Sequence, residues 1–293
     1  MEMVGPKRMR LCSGQDGGND VVATGRWESL NPEVLALVFV RIPADELVRV
    51  VSLVCKSWLA AVAGPYCWKE IDVEEWCRRS RRPDWIDSAV RKLVRRSRGD
   101  FGLLAAFKLG NAGFSFAANF GRCLKELRIP MSNVTDNTVE KHAESLTKVK
   151  VLDISNCVKI TSKGLEAFGK HCKCLVQLKR NMPPPELGMP TAGVALKADD
   201  SEAIVIADNM PGLHHLELGF GRFGNHGLNA ILTSCKLLSN LDIQGCWNVE
   251  FDADLEDKCE QIELFKDPWV DDDYENCGYS DDDGEELPFS ESE

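Results

Sequence analysis

Few residues in this chain have types and spacings that could do chemistry. Gly219-Phe220-Gly221-Arg222-Phe223-Gly224 spells G-x-G-x-x-G, with Asp242 eighteen residues past the last glycine. Backbone amides freed by such glycines can cradle a pyrophosphate at a helix start while the acid binds a ribose hydroxyl, so the run imitates a dinucleotide fingerprint. Asp242, however, recurs in the register of Asp153, and a helix and strand return at the same spacing elsewhere, so a glycine-rich corner of a repeat accounts for it better. His171-Cys172-Lys173-Cys174 offers half of a tetrahedral zinc set, but no second ligand pair stands nearby at fixed spacing. Neither a metal nor a cofactor is expected, and no activated serine, phosphate loop or paired-carboxylate constellation emerges, so the chain is not read as an enzyme. Nine Arg or Lys between Arg78 and Arg98, against Asp84 and Asp87, give +7 over 21 residues, a candidate surface for nucleic acid or an acidic protein. A solvated helix face, or one paired with the chain's own acidic end, is the plainer reading. Nucleic acid is therefore not an expected partner.

The chain that must position these residues has 293 of them, enough for about two domains. With 44% hydrophobic and 28% charged residues it reads as folded and soluble. Apolar runs such as Val34 to Val40 fall well short of the ~20 residues that cross a bilayer, and no hydrophobic stretch follows the basic Lys7 to Arg10, so neither a membrane span nor a secretory signal is expected. The net charge of −11 is concentrated: from Asp267 onward there are twelve Asp or Glu and no Lys or Arg, leaving 35 basic against 34 acidic groups before it. Residues 1–25 and 267–293 carry no apolar period and are expected to be disordered. Twelve cysteines without a secretion signal point to free thiols in a reducing compartment, the nucleus or the cytoplasm.

Between the two ends the apolar pattern changes twice. In residues 26–72, Asn31-Pro32 is a cap followed by a proline suited to a helix start, and Val34, Leu35, Val38, Phe39 and Ile42 follow at helical spacing. Pro43 restarts the chain, Leu47, Val50, Val51 and Val54 mark a second helix, and Trp58 and Val62 a third before Gly64-Pro65. Three helices this short cannot bury so much apolar surface alone, so a partner or neighbouring domain is implied. Residues 73–100 hold one amphipathic helix, with Ile86, Ala89 or Val90, Leu93 and Val94 inward and Arg91, Lys92, Arg95 and Arg96 outward, and read as a basic linker.

Residues 101–266 repeat. The template L-x-x-L-x-L aligns Leu104/Phe107/Leu109, Leu124/Leu127/Ile129, Val149/Leu152/Ile154, Leu175/Leu178, Leu213/Leu216/Leu218, Leu238/Leu241/Ile243 and Ile262/Phe265, with middle positions 20, 25, 26, 38, 25 and 24 residues apart. The interval of 38 contains an insertion from Met182 to Ala192; the others fit a strand and a helix per turn of a curved solenoid of six or seven repeats. Cys157 and Cys246 each fall five residues after a middle Leu, as small thiols buried at repeat corners would. Arg180 and Asp267 stand at core positions and blur their strands. Residues flanking each middle Leu point the other way, so Arg128, Asp153, Lys179, Glu217 and Asp242, beside Glu126, Val151, Gln177, His215 and Asn240, should line the concave face as candidate substrate contacts.

Leu30-Asn31-Pro32-Glu33-Val34-Leu35, Ile42-Pro43-Ala44-Asp45-Glu46-Leu47, Val54-Cys55-Lys56-Ser57-Trp58 and the closing Trp68 resemble an F-box. With the cysteine-containing repeats, the chain resembles a plant F-box/leucine-rich-repeat protein, although Leu-Pro is commoner where Leu30-Asn31-Pro32 stands. The resemblance implies an α/β chain in which a three-helix F-box precedes the solenoid. It also implies the substrate receptor of a Skp1–cullin–F-box ubiquitin ligase: a Skp1-like adaptor on Leu30, Pro32, Leu35, Val38, Ile42, Pro43, Leu47, Val54 and Trp58, cullin through it, and an unidentified protein substrate on the repeats. The competing expectation is a repeat scaffold or nucleic-acid-associated protein acting through the arginine-rich helix.

Overall fold

The computed structural model describes residues 27, 30–80, 85–184 and 197–269. The expectations for residues 1–25, for the chain after Trp269 and for most of the Met182–Ala192 insertion lie outside the described residues.

Helix α1 (Pro32–Phe39) begins where Asn31 Oδ1 accepts the Glu33 N–H at 2.9 Å, with proline in the first turn where no amide partner is needed. Pro43 stands just before α2 (Ala44–Arg49) with no side-chain cap, and Cys55 caps α3 (Lys56–Ala63), its sulfur accepting the Trp58 N–H. Phe39 meets Trp58 edge to face at 5.0 Å, and Leu35, Phe39, Leu47 and Val62 close the interior of the bundle. Trp68 follows in a 3-10 turn (Pro65–Trp68) and is buried, donating Nε1–H to the Val62 carbonyl at 2.7 Å.

The sheet that follows has eight parallel strands in sequence order: β1 (Glu70–Asp72), β2 (Leu103–Ala105), β3 (Glu126–Arg128), β4 (Val151–Asp153), β5 (Gln177–Lys179), β6 (His215–Glu217), β7 (Asn240–Asp242) and β8 (Leu264–Lys266). Their central residues Ile71, Leu104, Leu127, Leu152, Leu178, Leu216, Leu241 and Phe265 pair in one unbroken register. Strand, helix and return at every turn build the expected leucine-rich-repeat solenoid.

The structure corrects the reading of the first turns. β2 is centred on Leu104, not Phe107, so its core frame is Phe101/Leu104/Ala106, and Leu104 pairs with Leu127. Leu109 is buried at the corner position that Cys157 and Cys246 hold in later turns, and this corner leucine imitated a strand position. β1 lies inside the segment assigned to the F-box. The helix expected as a linker, α5 (Ile86–Arg96), is the helix of the first solenoid turn, its buried Val90, Leu93 and Val94 packing beside α6 (Asn111–Phe120). A short helix, α4 (Glu74–Arg79), precedes it. F-box and solenoid thus share one continuous apolar core through Trp68, Ile71 and Val73.

The remaining helices are α7 (Asp136–His142), α8 (Ser162–His171), α9 (Ser201–Asn209), α10 (Asn225–Ser234) and α11 (Ala253–Cys259). A carboxylate at the start of one helix caps the helix of the next turn. Asp87 Oδ1 accepts the Gly110 N–H at 2.7 Å, Asp136 Oδ1 accepts those of Thr161 and Gly164 at 2.8 and 3.0 Å, and Asp200 Oδ1 accepts those of Gly224 and Gly227 at 2.8 and 3.2 Å. This explains the glycines that open the helices: a Cβ on Gly164 would lie 2.6 Å from Asp136 Oδ1, and one on Gly227 2.7 Å from Asp200 Oδ1.

Arg180, at a core position, is buried and makes four hydrogen bonds. Its guanidinium donates to the Cys157 and Ile160 carbonyls at 3.1 and 2.6 Å and grips Glu202 of α9 at 2.9 and 3.0 Å. A charge can sit there because each of the three guanidinium nitrogens finds an acceptor and the carboxylate of Glu202 balances it. Asp267 is exposed instead, since among the described residues no further turn covers β8, and its carboxylate accepts the Trp269 N–H at 2.9 Å.

Candidate functional site

Two surfaces could engage partners. The first lies on the F-box helices. Of the nine residues assigned to adaptor contact, Leu35 and Leu47 are in the interior and hold the bundle together; Ile42 and Trp58 are half-buried; Leu30, Pro32, Val38, Pro43 and Val54 are exposed. The most exposed apolar side chains were not singled out by the sequence: Leu37 (72% exposed) on α1 and Leu53 (79%) in the connection from α2 to α3, with Val34, Val40, Val50 and Leu59 also in solvent. Their signal was the helical phase opposite Leu35 and Phe39, an apolar position where a solvated helix would carry a polar one. Val34, Leu37 and Val40 border a groove of about 1160 Å³ between α1, the start of α2, β1 and α4, whose far wall includes Trp76 and Arg79. An apolar surplus of this extent on a bundle whose own interior is closed is the character of a protein interface.

The second surface is the outward face of the sheet. Strand register sets Arg128, Asp153, Lys179, Glu217 and Asp242 in one row, extended by Asp72 and Ala105 before it and Lys266 after it. The parallel row Glu126, Val151, Gln177, His215, Asn240 is half-buried. Much of the charge is already matched within the chain: Arg128 pairs with Glu126, Lys179 with Glu217 at 2.7 Å, and Lys266 with Asp242 at 2.9 Å. Burial of Glu217 opposes its ionisation, but hydrogen bonds from Lys179, His215 and Asn181 outweigh that cost and hold its carboxyl below the usual range. Asp153 and Asp242 each accept a backbone N–H two residues on, from Ser155 at 2.9 Å and Gln244 at 3.1 Å, so both also shape the turn after their strand. The row is a preorganised polar stripe rather than a set of free charges.

The other chemical candidates are accounted for by packing. In the G-x-G-x-x-G run the amides that would hold a phosphate are already engaged: Gly219 donates to Asn181 Oδ1 at 2.8 Å, Phe220 and Gly221 to the Gln244 and Leu218 carbonyls at 2.8 and 2.9 Å, and Gly224 to Asp200 Oδ1 at 2.8 Å, while Phe223 is buried. Cys172 is buried, its thiol pushed up to about 12 by desolvation, while Cys174 is exposed. Cys157 and Cys246 donate to the Ile129 and Leu218 carbonyls, both at 3.1 Å, and burial raises them to about 11 and about 12. Among the described residues no three His, Cys, Asp or Glu gather as a metal would require, and no helix is long and apolar enough to cross a membrane. The arginine-rich helix spends its guanidinium faces within the chain: Arg91 and Arg95 lie over Phe116, Arg96 over Trp68, and on α4 Arg78 lies over Phe107.

Comparison with known proteins agrees with this anatomy. Residues 27–74 match the family described as F-box-like. The chain is 39% identical over 227 residues to "F-box protein FBW2" of Arabidopsis thaliana, covering 77% of this chain and 70% of that one. It is 33% identical over 236 residues to "F-box protein SKIP1" (75% and 79% covered) and 30% identical over 263 residues to "Putative F-box/LRR-repeat protein 22" (87% and 81% covered), both of the same plant. A three-helix box joined through a shared core to a parallel solenoid, together with these relatives, places the chain in the plant F-box family, in its leucine-rich-repeat branch.

Proposed function

We propose that this chain is the substrate-recognition subunit of a Skp1–cullin–F-box ubiquitin ligase. F-box proteins of that type are in general substrate receptors, and their F-box generally binds Skp1. The observation that carries the reading is the set of apolar side chains, Leu37 and Leu53 foremost, left in solvent on helices whose interior Leu35, Phe39 and Leu47 already fill. A Skp1-like adaptor covers them, and cullin is reached through it. The sheet face bearing Arg128, Asp153, Lys179, Glu217 and Asp242 holds the protein to be modified. The chain itself catalyses nothing; acceleration comes from holding a substrate lysine near a ubiquitin-charged enzyme. Ten described free thiols support a reducing compartment, the nucleus or the cytoplasm.

The test is capture of the tagged full chain from plant extract with adaptor and cullin quantified. Deleting the box would strip Trp68 and the first strand from the shared core, so the comparison is with L37A/L53A, which touches solvent-exposed atoms. Adaptor and cullin on the parent chain and their loss on the variant support the reading. Absence of both from the parent chain overturns it.

A further inference from the structure

The strands all begin on one rim of the sheet, where the preceding helices end, and this rim is basic through the middle turns. The Lys150 N–H donates to the Lys125 carbonyl at 2.7 Å and the Val176 N–H to the Lys150 carbonyl at 2.9 Å. Lys125 and Lys150 therefore stand side by side at about the 4.8 Å spacing of neighbouring strands. Arg122, Lys148 and Lys173 occupy the turns just ahead of the same strands, and all five side chains are exposed. Lys173 donates to the Gly169 carbonyl at 2.8 Å, whereas Arg122, Lys125, Lys148 and Lys150 have no acidic partner among the described residues. The acids nearby are few: Glu126 is taken by Arg128, which leaves Asp100 and Glu144.

The complementary charge is in the same chain. After Trp269 come 24 residues with eleven Asp or Glu and no Lys or Arg. From β8 to β4 is four strand spacings, about 19 Å, while 24 residues extend to about 80 Å. Tethering keeps such a segment near the rim at an effective concentration in roughly the millimolar range. We propose that the rim formed by Arg122, Lys125, Lys148, Lys150 and Lys173 is a docking surface for an acidic peptide segment, and that its occupant is residues 270–293 of the same chain. The proposal is independent of the ligase reading.

Zero-length carbodiimide coupling of the full chain, followed by peptide mass spectrometry, tests it. The expected result is intramolecular links from Asp271–Glu293 to Lys125, Lys148, Lys150 and Lys173. Their yield should fall at least about tenfold between about 0.1 M and about 1 M salt, as screening shortens from ~10 Å to ~3 Å. The full-length K125E/K148E/K150E variant, altered at exposed positions, should lose the link to Lys173, the amine it keeps on the rim, while keeping its melting temperature. Links spread equally onto Lys56 and Lys163, links between two copies, or no tail links would each overturn the proposal. So would a single-stranded RNA oligomer binding the full chain as tightly as a variant lacking residues 270–293, since the rim would then be unoccupied.

Discussion

Replacing Leu37 and Leu53 by alanine separates adaptor binding from folding. Burying a leucine fully is worth about 1.5–3 kcal/mol. Leu37 and Leu53 are 72% and 79% exposed, so a covering partner gains about three-quarters of that from each. Truncation to alanine removes most of the gain, about 2–3 kcal/mol for the pair, and each 1.4 kcal/mol is a factor of ten. The double variant should bind a purified Skp1-like adaptor about 30- to 150-fold more weakly in a calorimetric titration, with its melting temperature nearly unchanged. Leu35→Ala is the contrasting control: that side chain is 0% exposed, and its cavity should cost about 2–5 kcal/mol of folding stability. Adaptor affinity within about threefold of the parent chain for a folded L37A/L53A would refute the assignment of this surface.

Three further outcomes follow from the solenoid. Asp136→Ala removes two backbone caps and the Thr161 hydroxyl partner, and should lower stability by about 1–2 kcal/mol in urea titration, with Asp136→Asn losing less. Under native conditions at about pH 8, iodoacetamide should label exposed Cys174 and spare Cys172 and Cys246, whose thiols at about 12 are ionised to about one part in ten thousand; peptide mass spectrometry reads the pattern. The carboxyl of Glu217 is held below its ordinary 4.5, so its contribution is fully present above that value and is lost as pH falls through the folded pKa. The stability gap between the parent chain and E217Q should therefore shrink on acidification below about pH 4.5, as measured by denaturant midpoints.

The middle of the solenoid was legible because the turns from Leu127 to Phe265 repeat an apolar triplet around the strand, or its first two members where Arg180 and Asp267 stand third, a signal set locally. The first turn was not. Ile71 sits among residues that also read as the end of the box, and Leu109, filling a corner where later turns use cysteine, shifted the frame by three. The function of α5 as a solenoid helix rests on Asp87 reaching Gly110 and on packing against α6, neither of which an amphipathic stripe reveals. Arg180 looked like an interruption because Glu202, the acid that makes it tolerable, lies beyond the insertion. On the F-box the sequence could name apolar residues but not divide them, since contact and support both require apolar side chains; burial separates Leu35 and Leu47 from Val38 and Val54.

In the function proposed above, one end of the chain recruits the ligase while the other holds its target. The most direct measurement compares proteins captured by the full chain and by L37A/L53A from plant cells with the proteasome inhibited, counting ubiquitin remnants on each captured protein. The account expects both chains to retain the same proteins, with remnants abundant on those held by the parent chain and depleted on those held by the variant. Equal ubiquitination in the two captures would contradict it.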